Sequence, residues 1–370
     1  MNVLQIISSS ALLGAERVVC ELAANSHSKM HVCLINAKAS LLEEFDHVLA
    51  ANGACLHNIP CKSKFLIAAV LRLRDLIRDN EIQVVHSHGY KADAIAYLAT
   101  LFFNCEVKLI ASCHNWMTNT ISEKCYKSID LFLLRRFDSV VAISRDIRDE
   151  LVASGVKGRV PVVDNGIDLK ELKKPGDKSK LRALLGISPG ELVVGCVASL
   201  TPEKCHSDLI DALFLLRSQK IYLKLILVGD GPCRNELEHK VAVLGLGGSI
   251  SFLGHRQDAR LLYHAFDVFA LVSSKEGLPM ALLEAMAACV SVVATSVGAI
   301  PTVVRSGING VLVSPGSIHA ISSAIGTLAA DAGLRSRLAS AGLETVTNGY
   351  SSDAMCESYD RIYTLVLNQR

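Results

Sequence analysis

What this chain lacks narrows the field first. No apolar run approaches the roughly 18 residues that a bilayer-spanning helix needs, so a membrane-spanning protein is not expected. The opening stretch, MNVLQIISSSALLGAERV, has no basic segment ahead of its apolar residues. It reads as a strand and loop rather than a secretory leader, and the expected compartment is the cytoplasm. Neither sign of charge dominates: 38 Lys and Arg stand against 36 Asp and Glu, a net charge of +2. A general nucleic-acid binder carries a basic surplus, so no nucleic-acid partner is expected. The 12 cysteines form no C-x-x-C pair. They read as reduced, mostly small core residues, with a metal site as the alternative. There is no low-complexity segment and no short repeat at solenoid periods.

What is present is an alternation. The chain has 370 residues, half of them apolar, enough for two domains of ordinary size. The runs NVLQII, HVCLIN, QVVHSH, KLIASC and SVVAIS look like buried strands, with segments of helical period such as FLIAAVLRLRDLIRDN between them. After Asp168 the pattern gives way to the polar, Lys-rich DLKELKKPGDKSKLRALLGISPGE, which suits a linker. It then restarts with ELVVGCVAS, LKLILVGD, DVFALVSS, VSVVATS and GVLVSP. The expected architecture is α/β: two facing, Rossmann-like, doubly wound domains, residues 1–168 and 169–350, with a cleft between them. Ligands of such sheets sit beyond the carboxyl ends of the strands, so residues just after strands are the candidates.

One such stretch is SSKEGLPMALLEAMAACVSVVATSVG, where Glu276 and Glu284 stand eight residues apart. Glu276 and Gly277 follow a strand directly. The helix formers after Pro279 predict a helix there, with free N–H groups at its start that favour an anion. Glu276 from the loop and Glu284 from the helix then border one ligand, and carboxylates accept strong hydrogen bonds from hydroxyls. A sugar nucleotide supplies a sugar, a diphosphate and a ribose. The ordinary alternative is a helix whose acidic start is favoured by its dipole.

The segment EGLPMALLEAMAA resembles the E-x7-E signature of retaining glycosyltransferases of family 4, also called group 1, which have the GT-B fold. The resemblance runs in order along nearly the whole chain: GAERVVCELA, VVHSHGYKA, ASCHN, VVDNGID, VASLTPEKCHSDLIDAL, LVGDGPCRNELE, ISFLGHR and GAIPTVVRSGINGVLV. It implies transfer of a sugar from a nucleotide-sugar donor with retention, the acceptor attacking from the face that the diphosphate leaves. It also implies that the terminal segment 351–370 forms a helix that crosses back onto the first domain.

Residue by residue, the resemblance makes Glu276 the contact to donor-sugar hydroxyls and Glu284 the contact to the ribose. Lys204 neutralises the diphosphate as the glycosidic bond breaks. Gly14 lets backbone approach the phosphates. Backbone at Gly277 and Leu278 faces sugar or phosphate, although Pro279 has no N–H to give. Gly254 and His255 approach the nucleotide base. His114 lies near the donor sugar, and His88 helps line the acceptor side. The ordinary readings are a surface lysine, a turn glycine and structural histidines. The sequence has no D-x-D, the pattern of metal-dependent transferases of the other major fold, so no metal and no cofactor beyond the donor are expected.

Departures from the family pattern are Ser199 for an arginine that shares the diphosphate, Cys205 and Cys289 for glycines, Ser291 for a proline and Thr302 for an acid. They leave open a degenerate, non-catalytic sugar-nucleotide binder. A nucleotide-sugar epimerase is the same-fold alternative, and a periplasmic sugar binder is disfavoured by the opening stretch. The expected acceptor is a glycan or lipid-linked glycan, in cell-surface polysaccharide or glycolipid synthesis. In SEKCYKSIDLFLLRRF, Tyr126, Ile129, Leu133 and Phe137 share a helical face, with Lys124, Lys127 and Arg135 opposite. Such a helix either touches an acidic membrane at its inner face or packs on the core with a solvated back.

Overall fold

Unbroken apolar runs need cover on both faces, and parallel sheets provide it. The first sheet contains β1 (Asn2–Ile7), β2 (Lys29–Ile35), β3 (Cys55–Ile59), β4 (Val84–His88), β5 (Lys108–Cys113) and β6 (Ser139–Ala142). Its order is β3-β2-β1-β4-β5-β6, parallel throughout. The second contains β7 (Val193–Val197), β8 (Lys224–Val228), β9 (Ile250–Phe252), β10 (Val268–Leu271), β11 (Ser291–Thr295) and β12 (Val311–Val313). Its order is β12-β11-β10-β7-β8-β9, again parallel. Each sheet is doubly wound, and its strand order reverses between its own first and fourth strands, at β1/β4 and β7/β10. The computed structural model describes residues 1–8, 14–50, 53–61, 66–103, 107–114, 121–156, 160–172 and 177–369. Parts of four stretches quoted above, at residues 9–13, 65, 115 and 173–176, lie outside the described residues.

The sequence reading missed β3 and β9. Both lie at a sheet edge and most of their residues are partly exposed, so neither presents a continuous apolar run.

The chain divides into two units, Met1–Gly166 with Ser352–Arg370, and Ile167–Ser351. It enters and leaves the second unit side by side, because Ile167 N–H donates to Tyr350 O (3.0 Å) and Ile167 bridges to Ser351. The helix Ser352–Asn368 buries Met355, Cys356, Tyr359, Ile362, Tyr363 and Val366 at three- and four-residue spacing. This stripe packs on the first unit. Cys356 Sγ donates to Glu21 O (3.5 Å), and Asp360 accepts from Ser26 Oγ (2.7 Å), Ser28 Oγ (3.0 Å) and His27 N (3.1 Å). Tyr263, Tyr359 and Tyr363 are among the largest fully buried side chains, and a buried phenol needs a hydrogen-bond partner. Their partners lead directly to the candidate residues described below.

The helix Ile121–Leu134 divides the apolar stripe, since Leu133 and Phe137 are half-buried, Phe137 packing on the core, whereas the other two members are exposed. Tyr126 is 48% exposed and Ile129 56%, while Asp130 and Leu134 are buried. Lys127 is half-buried and pairs with Glu150. The face turned inward is set by Asp130, which hydrogen-bonds Asp93; burial and the neighbouring Asp130 charge hold the Asp93 carboxyl well above the usual carboxylate range. Two buried acids can face each other when one keeps its proton, and hydropathy alone does not reveal that partnership. Among the described residues no helix is long and apolar enough to cross a membrane.

Candidate active site

In the second unit the site begins where β7 and β10 end, at the reversal of strand order. Beyond β7 the chain passes Ser199 and reaches a tight turn, Pro202–Lys204. The segment before that turn is held from below by the VGDGP turn. Leu200 N–H donates to Asp230 O (3.0 Å) and Cys233 N–H to Leu200 O (2.9 Å). A Cβ at Gly229 would stand 1.9 Å from Ala198 O, and one at Gly231 2.5 Å from Leu200 O. The glycines therefore serve close backbone packing.

Beyond β10 the chain runs through the buried Ser273 to Glu276. Thr295 Oγ1 donates to Ser273 O (2.6 Å), and Ser274 N–H donates to Glu203 O (2.8 Å), stitching this loop to the strand β11 and to the turn at Lys204. Ser273 Oγ (2.6 Å) and Lys204 Nζ (2.6 Å) both donate to Glu276 Oε1. Glu276 O is pressed against Gly298, where a Cβ would stand 2.0 Å away and φ is +52°. Gly277 O accepts from Ala299 N–H (3.1 Å), and Leu278 is buried. The helix starts at Met280, with Pro279 as the cap whose carbonyl accepts the first helical bonds.

Glu284, in that helix, is only 1% exposed. Its carboxylate accepts from Arg260 Nε (3.1 Å) and Tyr263 OH (2.9 Å). Lys204 and Glu276 thus meet directly, whereas Glu284 is gathered with Arg260 and Tyr263, two residues the sequence reading did not select. Their only signal was a basic and an aromatic residue in the otherwise ordinary stretch DARLLYHAF. Gly254 has φ +68° and its carbonyl accepts from Gly229 N–H (2.8 Å), while His255 is exposed.

The departures each have a local account. Ser199 Oγ lies 3.4 Å from Thr201 Oγ1. Cys205 (φ +51°) and Cys289 (φ +57°) both occupy the left-handed region, where glycine is unstrained and a residue with a Cβ is not. Ser291 Oγ donates to Asp267 O (3.0 Å), and Thr302 Oγ1 to Ala299 O (2.7 Å).

In the first unit, Gly14 opens the helix Gly14–Asn25, and no described atom lies within 4 Å of where its Cβ would stand. His88 ends β4 and His114 follows β5. His88 Nδ1 lies 3.0 Å from His114 Nε2, and His88 Nε2 lies 2.8 Å from Gln5 Oε1. His88 is buried with both ring nitrogens engaged, so in this structure it braces His114 rather than lining a surface. His86 joins Tyr363 OH (2.8 Å) and Ser112 Oγ (2.8 Å), and Ser112 Oγ joins Tyr359 OH (2.7 Å). Burial pushes His86 down to about 3 and His114 to about 4, and holds His88 well below the usual imidazole value, so all three are neutral at pH 7.

A doubly wound unit with a lysine–glutamate pair at its switch point, joined to a second such unit, sets an ammonium and a carboxylate where ligands of such sheets bind. Residues 13–171 match the family described as Glycosyltransferase Family 4, and residues 177–345 match Glycosyl transferases group 1. The chain belongs to this glycosyltransferase family and has the GT-B fold. It is 27% identical over 333 residues to the D-inositol 3-phosphate glycosyltransferase of Mycobacterium ulcerans, covering 84% of this chain and 70% of that one. It is 26% identical over 304 residues to the N-acetyl-alpha-D-glucosaminyl L-malate synthase of Bacillus anthracis, covering 81% and 79%. Among solved structures, Anabaena HepE in complex with UDP-glucose superposes with a TM-score of 0.87 at 25% identity, covering 99% of this chain and 100% of that one.

Proposed function

We propose that the protein transfers a hexose from a nucleotide sugar to a glycan or lipid-linked acceptor, with retention at the anomeric carbon. The Lys204–Glu276 contact carries this reading. It supplies, at a strand-order reversal, an ammonium for a leaving diphosphate and a carboxylate for sugar hydroxyls. HepE binds UDP-glucose, which makes that sugar nucleotide the first donor to test. Lys204 balances the charge that builds on the diphosphate as the glycosidic bond breaks. Glu276, fixed by Ser273 and by backbone pressed on Gly298, accepts from the sugar and orients it without reorganising. The acceptor hydroxyl then attacks from the face the diphosphate leaves, and a diphosphate oxygen takes its proton.

The exposed side of the helix Ile121–Leu134 supports a lipid-linked acceptor. Tyr126, Ile129 and Phe132 are each about half exposed, and Tyr90 stacks on Tyr126 at 5.1 Å. Arg136 lies 4.0 Å over the Phe132 ring and Lys124 is exposed, the mixture of apolar and basic groups that sits at an anionic headgroup layer.

Calorimetric titration with UDP and UDP-glucose, followed by turnover with lipid-linked acceptors, tests the proposal. Binding with neither hydrolysis nor transfer favours the degenerate binder, whose sequence basis is Ser199. No binding of any nucleoside diphosphate sinks both readings.

A further inference from the structure

We infer that hydrogen-bond direction is fixed along Met30, Gln5, His88 and His114, so that His114 is held as the Nε2–H tautomer and offers Nδ1 as an acceptor to a substrate hydroxyl. The argument starts at a buried amide. Gln5 is fully buried, and its Nε2 faces two groups, Tyr363 OH at 3.0 Å and Met30 Sδ at 3.8 Å. A thioether has no hydrogen to give. Turning the amide over would set the Gln5 carbonyl against the sulfur, acceptor against acceptor, and strand an N–H in the core. The orientation with nitrogen toward Met30 and Tyr363 uses both N–H groups, and a buried unsatisfied donor costs about 1–3 kcal/mol.

Gln5 Oε1, an acceptor only, therefore faces His88 Nε2 at 2.8 Å, and that nitrogen must carry the proton. A neutral imidazole has one N–H, so His88 Nδ1 is a lone pair. Across 3.0 Å it can only accept, which puts the proton on His114 Nε2. His114 is itself neutral, so its Nδ1 carries the remaining lone pair. Among the described residues the one hydrogen bond of the His114 ring is through Nε2. Burial favours the neutral form of both rings and excludes the doubly protonated form that would break the sequence of donors.

Tyr363 extends the same logic. Having accepted from Gln5, its hydroxyl donates to His86 Nδ1, so His86 Nε2–H donates to Ser112 Oγ. Gln5, His88 and Tyr363 are positioning residues: they decide what His114 presents without touching the ligand. Only the identity of the hydroxyl as a sugar's rests on the glycosyl-transfer reading. The tautomer is measured without ligand, so the two fail independently.

The test is nitrogen-15 spectroscopy of histidine-labelled, ligand-free protein at neutral pH, with His88 and His114 assigned by single substitution to Gln. Each ring is expected to show a pyridine-type Nδ1 and a pyrrole-type Nε2. A protonated Nδ1 on either ring, or averaged shifts in wild type, overturns the inference, and this needs no variant to fold. Gln5→Met keeps the volume but removes the acceptor, and is expected to abolish the single tautomer, moving both nitrogens of both rings. Unchanged shifts in Gln5→Met overturn the role of Gln5. Tyr363→Phe frees the amide to turn over and is expected to add a second, minor set of His88 and His114 shifts.

Discussion

Lys204 Nζ and Glu276 Oε1 lie 2.6 Å apart although 72 residues separate them in sequence. Their strands, β7 and β10, are neighbours only because the sheet order reverses there. The ammonium is 20% exposed and the carboxylate 8%, so the pair is poorly screened and each partner governs the charge the other shows to a ligand.

Removing the carboxylate therefore has two opposite effects. Glu276→Gln leaves Lys204 with an uncompensated charge, and a free nucleoside diphosphate is expected to bind about fivefold tighter, roughly 1 kcal/mol. Turnover with the complete donor is expected to fall, because the sugar loses its charged acceptor. Titration and rate measurement on one preparation check both. Equal specific activity at saturating donor would remove Glu276 from the chemistry.

Lys204→Ala is expected to weaken nucleoside-diphosphate binding by tenfold to a hundredfold, the roughly 1.5–3 kcal/mol of a charge-assisted contact. Ser199→Arg is expected to tighten it by a similar factor, less at high salt, since guanidinium matches phosphate in a bidentate way. Calorimetric titration across a salt series reads both. Wild-type affinity in Lys204→Ala refutes the site assignment.

Cys205 and Cys289 stand in backbone conformations that disfavour any Cβ. Cys289 follows the helix Met280–Ala287, where Val290 N–H returns to Ala285 O, a helix end that glycine usually occupies. Cys205→Gly and Cys289→Gly are each expected to stabilise the protein by about 0.5–1 kcal/mol, the relief of strain minus the greater freedom of the unfolded chain. Thermal or urea unfolding measures this, and destabilisation by both would show that their side chains supply more than the strain removes.

The buried histidines make stability fall with acid. Their folded values lie below the ordinary 6.5, so between about pH 6.5 and pH 4 the unfolded chain binds more protons than the folded one. Stability is fully present above that window and is lost as pH falls, by up to about 1.4 kcal/mol per pH unit for each ring. Asp93 has a raised value and acts in the opposite sense, since folding takes up a proton above the unfolded carboxyl range. Asp93→Asn is therefore expected to lose stability more steeply on acidification than wild type. Urea unfolding followed by far-ultraviolet circular dichroism across a pH series checks this.

The fold was legible because each central strand is a local apolar run, and the family motifs fall at strand ends. The places of Lys204 and Glu276 beyond β7 and β10 were legible for the same reason. The partners that decide how side chains are used were not. Tyr363 meets His86 across 277 positions, and Tyr359 meets Ser112 across 247. Neither pairing leaves a periodic trace. Arg260 and Tyr263 claim Glu284 from a short helical segment with no distinguishing composition. Hydropathy likewise did not show which side of the helix at Tyr126 turns inward, because Asp130 enters the interior beside Asp93, an arrangement that depends on a retained proton.

The helix Ser352–Asn368 also fixes an order of assembly. During synthesis Gln5 and His86 emerge early, but the Tyr363 hydroxyl that both require emerges only after the whole second unit. The second unit, contiguous from Ile167 to Ser351, has all of its own residues before that point. The unit begun first is thus completed last, and until then its β1 and β4 ends and the face of Gly14–Asn25 await a helix not yet made. A chain cut just before Ser352 would hold every residue of the second unit and leave the first without the helix that completes it.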